Sequence, residues 1–499
     1  MRRGGGGRAA PRRGVEGGRA LGARRARRAR GPAPRRCGAR CAARGRRGVS
    51  QLQPARRPRR GVAPAVARGR GVSGVPGPAP APGGVDLAAA HAALVRRHPG
   101  TRAFWIYDLD AFAARARAFR DAVAPLDPLV ALALKANALP ALLERAAACG
   151  LGADAVSLGE LWLARAAGFA AGRTVLNGNG RTPEEAAWAA REGLFAVNAD
   201  AVEELDLLER AAREAGRALR VALRVNPGIG AGGHPHVTTG DEEAKFGVAP
   251  AEALAAWASR SRWPSLALEG LHVHVGSQLL DPGPLERAAE VALALADESA
   301  RRGAPLGWID LGGGFGVDYA GAGRDFPLAA WGERLVERAR GRGLTWVFEP
   351  GRWLTAPVGV LVAEVLAVKA RDGRRFVTLA AGMNDLLRPA LYGARHRIVP
   401  VRPRPGPLSP ADVVGPVCES ADVFAGALPL PPLAPGDLLA VLDAGAYGAS
   451  MASTYNGRGR LAELVAEGGR AWIAAVPEPP EALAARAVRE PLALPPPPA

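Results

Sequence analysis

Eight short apolar segments that alternate with helix-forming stretches constrain the fold of this 499-residue chain more than any other feature. The segments are Leu129–Asn137, Ala153–Ser157, Thr174–Gly178, Phe195–Asn198, Arg220–Asn226, Leu268–Val275, Trp308–Leu311 and Thr345–Glu349. Such segments are typical of buried strands, and the Ala-, Leu-, Arg- and Glu-rich stretches between them are typical of helices. Eight βα units predict an α/β fold, a TIM-like (β/α)8 barrel. A doubly wound open sheet is the alternative, because the sequence does not show whether the sheet closes.

Potentially reactive residues follow these strands at their carboxyl ends, where the active site of a barrel is built. They are Lys135, Asn137, Ser157, Glu160, Asn177, Asn226, His274, Ser277, Gly312–Gly314, Glu349 and Arg352. A stable core does not require polar groups at these positions, so the pattern favours an enzyme.

The chain outside the barrel divides into four segments. Around a barrel at 111–355 we predict a disordered Arg-rich leader at 1–85, an N-terminal segment at 86–110, a C-terminal β domain at 356–485 and a tail at 486–499. The β domain is predicted from Val-rich runs that Gly and Pro interrupt. These runs are Val358–Val368, Arg375–Leu379 and Leu438–Leu442.

Smaller features of these segments also carry predictions. The strand FWIYDL at Phe104–Leu109 is expected to pair with the β domain. Pro403–Pro410 and Pro429–Pro435 are predicted to be loops, and Pro495–Pro498 a frayed end.

The basic charge of the chain belongs to the leader. Residues 1–85 carry 23 Arg and one acidic residue, Glu16, whereas the rest of the chain has 43 of the 66 basic and 46 of the 47 acidic residues. The net charge of +19 is therefore no argument that the folded part binds nucleic acid. The leader resembles an organelle transit peptide. We expect a plastid location; a mitochondrial one, or a cytoplasmic protein with a misassigned start codon, is the alternative.

Neither membrane spans nor a disulfide framework are expected. No uncharged apolar run reaches the ~18–20 residues that a bilayer span needs. Cys37 and Cys41 lie in the leader, which leaves Cys149 and Cys418 in the body. This cysteine usage is typical of a reducing compartment.

Lys135 is one of three lysines in the chain, with Lys245 and Lys369, against 63 arginines. A lysine amine can lose its proton and attack an aldehyde, which a guanidinium cannot do. Its place at the end of the first barrel strand therefore suits a covalently held cofactor, although the residue alone also fits a surface lysine.

The run Gly312-Gly313-Gly314-Phe315-Gly316 follows the seventh barrel strand. Backbone N–H groups of such a turn can bind a phosphate that side chains would obstruct. Its spacing approximates a dinucleotide fingerprint, but barrels commonly bind phosphate after strands seven and eight. The position favours a phosphorylated cofactor over a dinucleotide.

Ten ordered motifs across about residues 90–480 resemble the diaminopimelate decarboxylase family. They are ALALKAN (131–137), DAVSLGEL (154–161), LRVNPG (223–228), TGDEEAKFG (239–247), GLHVHVGSQ (270–278), LGGGFG (311–316), FEPGR (348–352), MNDLLRPALYGARH (383–396), GPVCESAD (415–422) and DAGAYGASMASTYN (443–456). The family consists of lyases that use pyridoxal 5'-phosphate (PLP) and have the alanine racemase-like fold, fold type III. The resemblance implies a barrel with a C-terminal β domain.

The resemblance also implies how PLP is held. Lys135 would bind it covalently, and His274 would stack on the pyridine ring. The phosphate contacts implied are Ser277, Gly312, Gly313, Gly314 and Tyr447.

Glu349 is implied to face the pyridine nitrogen. An anion there raises the pKa of the nitrogen and keeps it protonated. The ring then accepts electrons strongly from the carbanion that loss of CO2 leaves. Related racemases carry arginine at this place, so Glu349 favours decarboxylation.

The substrate contacts implied are Arg352, Arg388 and Tyr392, together with Tyr447. The two guanidiniums would bind the distal carboxylate of the substrate, and their planar forks suit a bidentate grip.

Cys418 and Glu419 resemble a loop that reaches the neighbouring subunit's site in a homodimer with shared active sites. The thiol would protonate the substrate carbon, and the glutamate would bind the distal ammonium. After TYN the family usually continues with Arg-Pro, whereas this chain has Gly457-Arg458-Gly459-Arg460, which predicts a looser loop.

The resemblance as a whole implies conversion of meso-2,6-diaminopimelate to L-lysine and CO2 in lysine biosynthesis. One alternative is a decarboxylase for ornithine, arginine or carboxynorspermidine, which Asp at position 419 and loss of Arg388 would favour. Another is a catalytically silent PLP-binding relative, which loss of Lys135 or Cys418 would indicate. We find no metal-ligand cluster in the sequence and assign His234 and His236 to a loop.

Overall fold

The structure, a computed structural model, describes residues 79–229 and 246–488. The strands are β1 (Ala103–Asp108), β2 (Leu129–Ala133), β3 (Gly152–Ala155), β4 (Thr174–Leu176), β5 (Ala196–Ala199), β6 (Leu219–Arg224), β7 (Leu266–His272), β8 (Trp308–Asp310), β9 (Thr345–Phe348), β10 (Gly359–Arg371), β11 (Arg374–Leu379), β12 (Ile398–Pro400), β13 (Ser409–Val414), β14 (Val423–Leu430), β15 (Leu438–Val441), β16 (Ala462–Glu467) and β17 (Arg470–Ala475).

The helices alternate with the strands through the barrel, as the sequence predicts. They are α1 (Leu87–Arg97), α2 (Leu109–Val123), α3 (Pro140–Ala148), α4 (Leu158–Ala166), α5 (Pro183–Glu192), α6 (Glu204–Ala215), α7 (Pro250–Ala258), α8 (Gly283–Arg301), α9 (Leu328–Ala339), α10 (Arg352–Thr355), α11 (Arg388–Tyr392) and α12 (Pro480–Ala485).

Local signals in the sequence set where such helices begin and end. Thr182 accepts a hydrogen bond from the Glu185 amide, and the Glu185 side chain accepts one from the Thr182 amide. Pro183 occupies the first turn of α5, and Gly193 ends the helix in the left-handed conformation. This reciprocal cap at one end and glycine at the other satisfy backbone groups that a helix leaves unpaired.

β2 to β9 form a closed parallel barrel. Each strand pairs with the next along the chain, and β9 returns to β2 with Leu129 opposite Val347. This closure confirms the barrel and excludes the open sheet. One cluster of buried apolar side chains includes the first residues of β2, β5 and β8; its members are Leu129, Val175, Ala196, Ala222, Trp308 and Val347. The carboxyl end of the barrel is left to polar residues.

The first predicted strand is shorter than expected. β2 ends at Ala133, and a 3-10 turn, Leu134–Ala136, carries Lys135. The next residue, Asn137, donates a hydrogen bond of 2.9 Å from its amide to the Gly445 carbonyl of the C-terminal domain. The turn therefore lies where the barrel meets that domain.

A nine-stranded mixed sheet forms the C-terminal domain. Its main path is β14-β13-β11-β10-β1-β16-β17, while β15 pairs with β10 and β12. β1 pairs antiparallel with β10 and parallel with β16, which confirms that FWIYDL joins this domain. Successive side chains of β1 enter different cores, with Phe104 and Ile106 in one and Trp105 and Tyr107 in the other.

Two predicted loops extend less far than expected. Ser409 and Pro410 begin β13, and Pro429 and Leu430 end β14, where Pro410 lies opposite Pro429. β14 is at the edge of the sheet. Edge strands tolerate proline because its missing N–H removes no hydrogen bond that the ladder needs.

The departure at Gly457-Arg458-Gly459-Arg460 does not loosen the chain as predicted. Arg458 donates to the Ala380 carbonyl over 3.2 Å, and the Arg460 amide donates to the Glu478 side chain over 3.2 Å. A Cβ atom on Gly459 would overlap the Glu478 carbonyl oxygen. Glycine is needed here because the backbones approach closely.

Among the described residues, no helix is long and apolar enough to cross a membrane. The predicted disorder over residues 1–78 and in the tail from 489 lies outside the described part of the chain, as do His234, His236 and Lys245.

The end of the leader, predicted at residue 85, requires correction. Pro82 and Val85 are buried, and the Gly83 amide donates to Asp108 Oδ2 over 2.6 Å. The Gly83 carbonyl also accepts a 2.7 Å hydrogen bond from the Gly469 amide. Residues before 85 therefore belong to the folded part, because they pack on the hairpin of β16 and β17.

We predict that a chain starting at Ala79 retains stability and activity, whereas one starting at Asp86 is less stable. The shorter chain loses two hydrogen bonds and the burial of Pro82 and Val85, which together stabilise the fold by about 1–3 kcal/mol. Thermal and denaturant unfolding of the two chains measures the difference. Equal midpoints would show that the Pro82–Gly84 contacts contribute nothing.

Candidate active site

Lys135 lies at the carboxyl end of the barrel with its side chain 42% exposed. Its Nζ is 3.6 Å from Oδ2 of Asp154, a fully buried residue of β3. Burial acts to lower the pKa of Lys135, but the nearby acidic groups, Asp154 foremost, outweigh it and raise the pKa. The acidic end of the barrel therefore favours the protonated amine.

Three buried carboxyl groups from different strands are joined by two asparagine amides. Asn177 donates to Asp154 Oδ1 over 2.7 Å and to Glu349 Oε1. Asn198 donates to Asn177 Oδ1 and to Asp310 Oδ2, both over 2.9 Å. We call these five residues the carboxyl-amide network. The backbone spacing of parallel strands brings the five side chains together at one end of the barrel.

One member of the network, Glu349, retains a proton at neutral pH. Burial, followed by the nearby Asp154 and Asp310 carboxylates, raises the pKa of Glu349 well above its usual value. Burial also raises the pKa of Asp310 to about 6. Because Glu349 Oε1 accepts the Asn177 amide, the proton of Glu349 belongs on Oε2.

A buried histidine completes this end of the barrel. His272 Nε2 is 3.8 Å from Glu349 Oε2, and burial lowers the pKa of His272 well below its usual value. Ligand atoms of His272, Asp310 and Glu349 lie within 4.8 Å of one another, a cluster that the sequence analysis did not find. The carboxyl groups of Asp310 and Glu349 each accept a hydrogen bond from an asparagine amide.

The glycine turn after β8 has no room for side chains. Gly312 and Gly314 have positive φ values of 64° and 106°. A Cβ atom on Gly312 would lie 2.6 Å from His274 Nδ1, and one on Gly314 would lie 2.7 Å from the Gly276 carbonyl oxygen. The Gly313 amide donates to His274 Nδ1 over 3.2 Å. The turn therefore brings bare backbone against the predicted ring-stacking histidine.

Arg352 connects the predicted phosphate contacts to the C-terminal domain. One of its terminal nitrogens donates to Ser277 Oγ over 2.9 Å, and the other donates to Tyr319 Oη over 3.0 Å. Its guanidinium carbon lies 4.8 Å from the ring centroid of Tyr447. The Tyr447 amide in turn donates to the Ala136 carbonyl over 2.8 Å. Tyr447 thus lies beside the turn that carries Lys135.

Arg388 is the second predicted guanidinium, and its residue is only 5% exposed. It lies at the first position of α11, the short helix that also contains Tyr392. Within the described chain no carboxylate forms a salt bridge with Arg352 or Arg388, and the Nε atoms of both are buried without a hydrogen-bond partner. Unpaired buried charge is costly, so this pair of cations suits an anionic ligand.

Cys418 and Glu419 lie on the surface. The Cys418 amide donates to Asn456 Oδ1 over 2.9 Å, and Tyr455 Oη donates to Glu419 Oε1. Both residues are exposed. Within the described part of this chain, the hydrogen bonds of the Cys418 amide and the Glu419 side chain are made to Asn456 and Tyr455, and not to the barrel.

Sequence reasoning missed several residues of this site. Five residues that lie among the predicted site residues were not selected as candidates from the sequence: Asn198, His272, Asp310, Tyr319 and His396. His272 and Asp310 stand in the last positions of β7 and β8, so the signal that selected their neighbours was available. Tyr319 and His396 lie in irregular segments, where no strand end marks them.

Comparison with known proteins places the chain in a class. The family model for the pyridoxal binding domain of pyridoxal-dependent decarboxylases matches residues 109–356. This range contains the whole barrel, together with Lys135, the carboxyl-amide network and the glycine turn. The barrel is the pyridoxal binding domain of a pyridoxal-dependent decarboxylase.

More specific relatives share most of the chain. Diaminopimelate decarboxylase of Pseudomonas aeruginosa is 42% identical over 367 residues, 73% of this chain and 87% of the relative. That of Zymomonas mobilis is 39% identical over 373 residues, 74% of this chain and 88% of the relative. The crystal structure of diaminopimelate decarboxylase from Helicobacter pylori complexed with L-lysine matches with a TM-score of 0.75 and 37% identity, covering 79% of this chain and 98% of that one. The chain belongs to the diaminopimelate decarboxylase family.

Proposed function

We propose that this protein is a PLP-dependent carboxy-lyase that converts meso-2,6-diaminopimelate to L-lysine and CO2, in lysine biosynthesis. The observation that carries the substrate assignment is the pair of guanidiniums, Arg352 and Arg388, that lack a carboxylate partner beside the Lys135 turn. A substrate that presents a second carboxylate away from the reacting carbon would neutralise them. Diaminopimelate has this second carboxylate. The names of the protein's relatives support the assignment.

The residues present fit PLP. The cofactor would be held by Lys135 through its amine, by His274 against the ring, by Glu349 at the pyridine nitrogen, and at the phosphate by Ser277, Gly312, Gly313, Gly314 and Tyr447. Two features suit PLP. The glycine turn has no side chains at the phosphate position, and Glu349 carries a proton at the position of the pyridine nitrogen. When bound, PLP supplies an electron-accepting ring that stabilises the carbanion left by loss of CO2.

The protein's own residues would position the substrate and move protons. Glu349 would hold a proton toward the pyridine nitrogen, and the carboxyl-amide network would stabilise the negative charge of Glu349 when that proton is shared. Arg352, Arg388 and Tyr392 orient the distal carboxylate, so that the reacting carboxylate is the one without a cationic partner. Cys418 would return a proton to the carbon that loses CO2, and Glu419 would bind the distal ammonium.

The alternative functions lack the residues that would favour them. A decarboxylase for ornithine, arginine or carboxynorspermidine has no use for a buried, unpaired Arg388 because those substrates are more basic at the distal end. A silent relative would not need the Lys135 amine beside Asp154, or the thiol of Cys418.

We predict that the purified protein decarboxylates meso-diaminopimelate and that borohydride fixes PLP on Lys135. Peptide mapping should find the pyridoxyl mass on the peptide containing Lys135, since its amine lies at the carboxyl end of the barrel. Lys135→Ala should lose at least ~1,000-fold in kcat, as expected when a covalent catalyst is removed. Lys369→Ala is the matched control and should retain activity. Label on Lys245 or Lys369 would contradict the assignment, and equal turnover of ornithine would contradict the proposed substrate.

We further propose that the active protein is a homodimer in which Cys418 and Glu419 complete the partner's site. The support is their exposure beside an open surface pocket of about 480 Å³. The pocket is lined by Met383, Asn384, Leu387, Ser453, Thr454 and Tyr455. Tyr455 and Leu391 are 46% and 44% exposed, so this surface offers apolar area to a second copy. A two-fold pair would place each loop at the other subunit's barrel.

Mixing two inactive variants tests this arrangement. Lys135→Ala and Cys418→Ala should each be inactive, and their mixture should recover up to about a quarter of wild-type activity, because half of randomly exchanged dimers are mixed and have one intact site of two. Subunit exchange is verified with differently tagged chains. No recovery despite exchange would show that Cys418 acts within its own chain or has no catalytic part.

We propose that the leader directs the protein to a plastid, with the mitochondrion or the cytoplasm as alternatives. The support is its 23 arginines and single acidic residue.

A further inference from the structure

Arg352 and Arg388 are held near each other by a tyrosine. Arg352 donates to Tyr319 Oη over 3.0 Å, while the guanidinium carbon of Arg388 lies 4.5 Å from the centroid of the Tyr319 ring. A phenol oxygen accepts from one cation, and the ring face attracts the other. Tyr319 therefore compensates part of the repulsion between two like charges.

His396 fixes the second guanidinium from another side. Arg388 Nη1 is 2.8 Å from His396 Nε2, and His396 Nδ1 is 2.9 Å from the Leu442 carbonyl oxygen. A carbonyl can only accept, so Nδ1 carries the proton and donates it to Leu442. Nε2 of the neutral ring is then the acceptor for Arg388. The backbone after β15 thereby sets the tautomer that Arg388 requires.

His396 is suited to remain neutral. It is 7% exposed, and the edge of its ring system packs against Tyr319 with centroids 5.1 Å apart. Burial, followed by the charge of Arg388, lowers the pKa of His396 to about 3. A protonated ring would have no acceptor for Arg388, so the low pKa keeps the contact intact in the neutral range.

We propose that His396 and Tyr319 are positioning residues that orient Arg388, with Arg352, toward the distal carboxylate of the substrate. The inference rests on the proposed function, since it assumes that these guanidiniums bind that carboxylate. It adds to that function two residues that make the carboxylate site specific. His396 accepts from one terminal nitrogen of Arg388, and the Tyr319 ring covers one face of the guanidinium. The remaining N–H groups of Arg388 can therefore donate to a ligand.

Two ligands that differ by one carboxylate provide the test. L-lysine, the product, retains the distal carboxylate of diaminopimelate, whereas cadaverine is lysine without it. Inhibition constants of both are measured against decarboxylation of meso-diaminopimelate by the holoenzyme. A positioning role for Arg388 predicts an effect on lysine and none on cadaverine.

His396→Leu should weaken inhibition by L-lysine about 10-fold or more, because a hydrogen bond to a charged group is lost. The inhibition constant of cadaverine should change less than twofold. His396→Gln retains an acceptor near Nε2 and should recover most of the loss. Tyr319→Phe keeps the ring face but loses the bond to Arg352, so a severalfold loss for L-lysine alone is expected. The KM for diaminopimelate should rise more than kcat falls.

His91→Leu is the matched control. His91 lies in α1, its ring stacked at 6.1 Å on Phe104 of β1, outside the site. It should leave both inhibition constants unchanged. Should His396→Leu fail to fold, the lysine and cadaverine values of His396→Gln and Tyr319→Phe decide the question.

Arg388→Met separates the two levels of the inference. If Arg388→Met weakens lysine selectively but neither the His396 nor the Tyr319 variants do, the positioning role is overturned and the proposed function stands. If His396→Leu weakens both ligands equally, the residue is merely structural and the inference is likewise overturned. If Arg388→Met affects lysine and cadaverine alike, the carboxylate site of the proposed function is itself wrong.

Discussion

The hydrogen bonds of Asn177 and Asn198 to three buried carboxyl groups are the interaction on which the site depends. Asp154, Asp310 and Glu349 come from three strands, and like charges this close would repel each other at the end of a barrel. The two amides donate to one oxygen of each carboxyl group, and burial keeps a proton on Glu349. The carboxyl end of the barrel therefore carries a protonated carboxyl group at Glu349. Beside it, the carboxylate of Asp154 faces the amine of Lys135.

The second requirement is a fixed connection between the barrel and the β domain. Asn137 donates to the Gly445 carbonyl, and the Tyr447 amide donates to the Ala136 carbonyl, so both flank Lys135. Residues more than 300 positions apart thereby meet at one turn. Arg352, Tyr319 and Arg388 extend this contact to the place where we propose the distal carboxylate binds.

The sequence predicted the barrel well because eight buried strands separated by helices leave few architectures. It also predicted that FWIYDL joins the C-terminal sheet. It missed the 3-10 turn at Lys135, because the apolar residues of ALALKAN do not show where the strand ends and the turn begins. It placed the start of the folded chain too late, because Pro82 and Gly83 have the same residue types as the leader. Their contacts with Asp108 and with the β16 and β17 hairpin are visible only in the structure.

The site was predictable where a motif or a strand end marks a residue, as with Lys135, His274 and Glu349. Tyr319 lies outside the quoted motifs, and His396, although it ends the motif MNDLLRPALYGARH, was not selected, because the importance of both comes from contacts with Arg352 and Arg388 that only the fold creates. The meeting of Asn198 with Asp310, from β5 and β8, is likewise a product of barrel closure.

The central claim, that the proton held by Glu349 at the base of the barrel serves the pyridine nitrogen, is tested most directly by 15N NMR of the holoenzyme. The protein is loaded with PLP labelled at its ring nitrogen, and the 15N chemical shift is compared with that of Glu349→Gln. We expect the shift of a protonated nitrogen in the unchanged protein across neutral pH, and that of an unprotonated nitrogen in the variant, since an amide cannot supply the charge that raises the pKa of the nitrogen. An unprotonated nitrogen in the unchanged protein, or a protonated one that survives in Glu349→Gln, would contradict the claim.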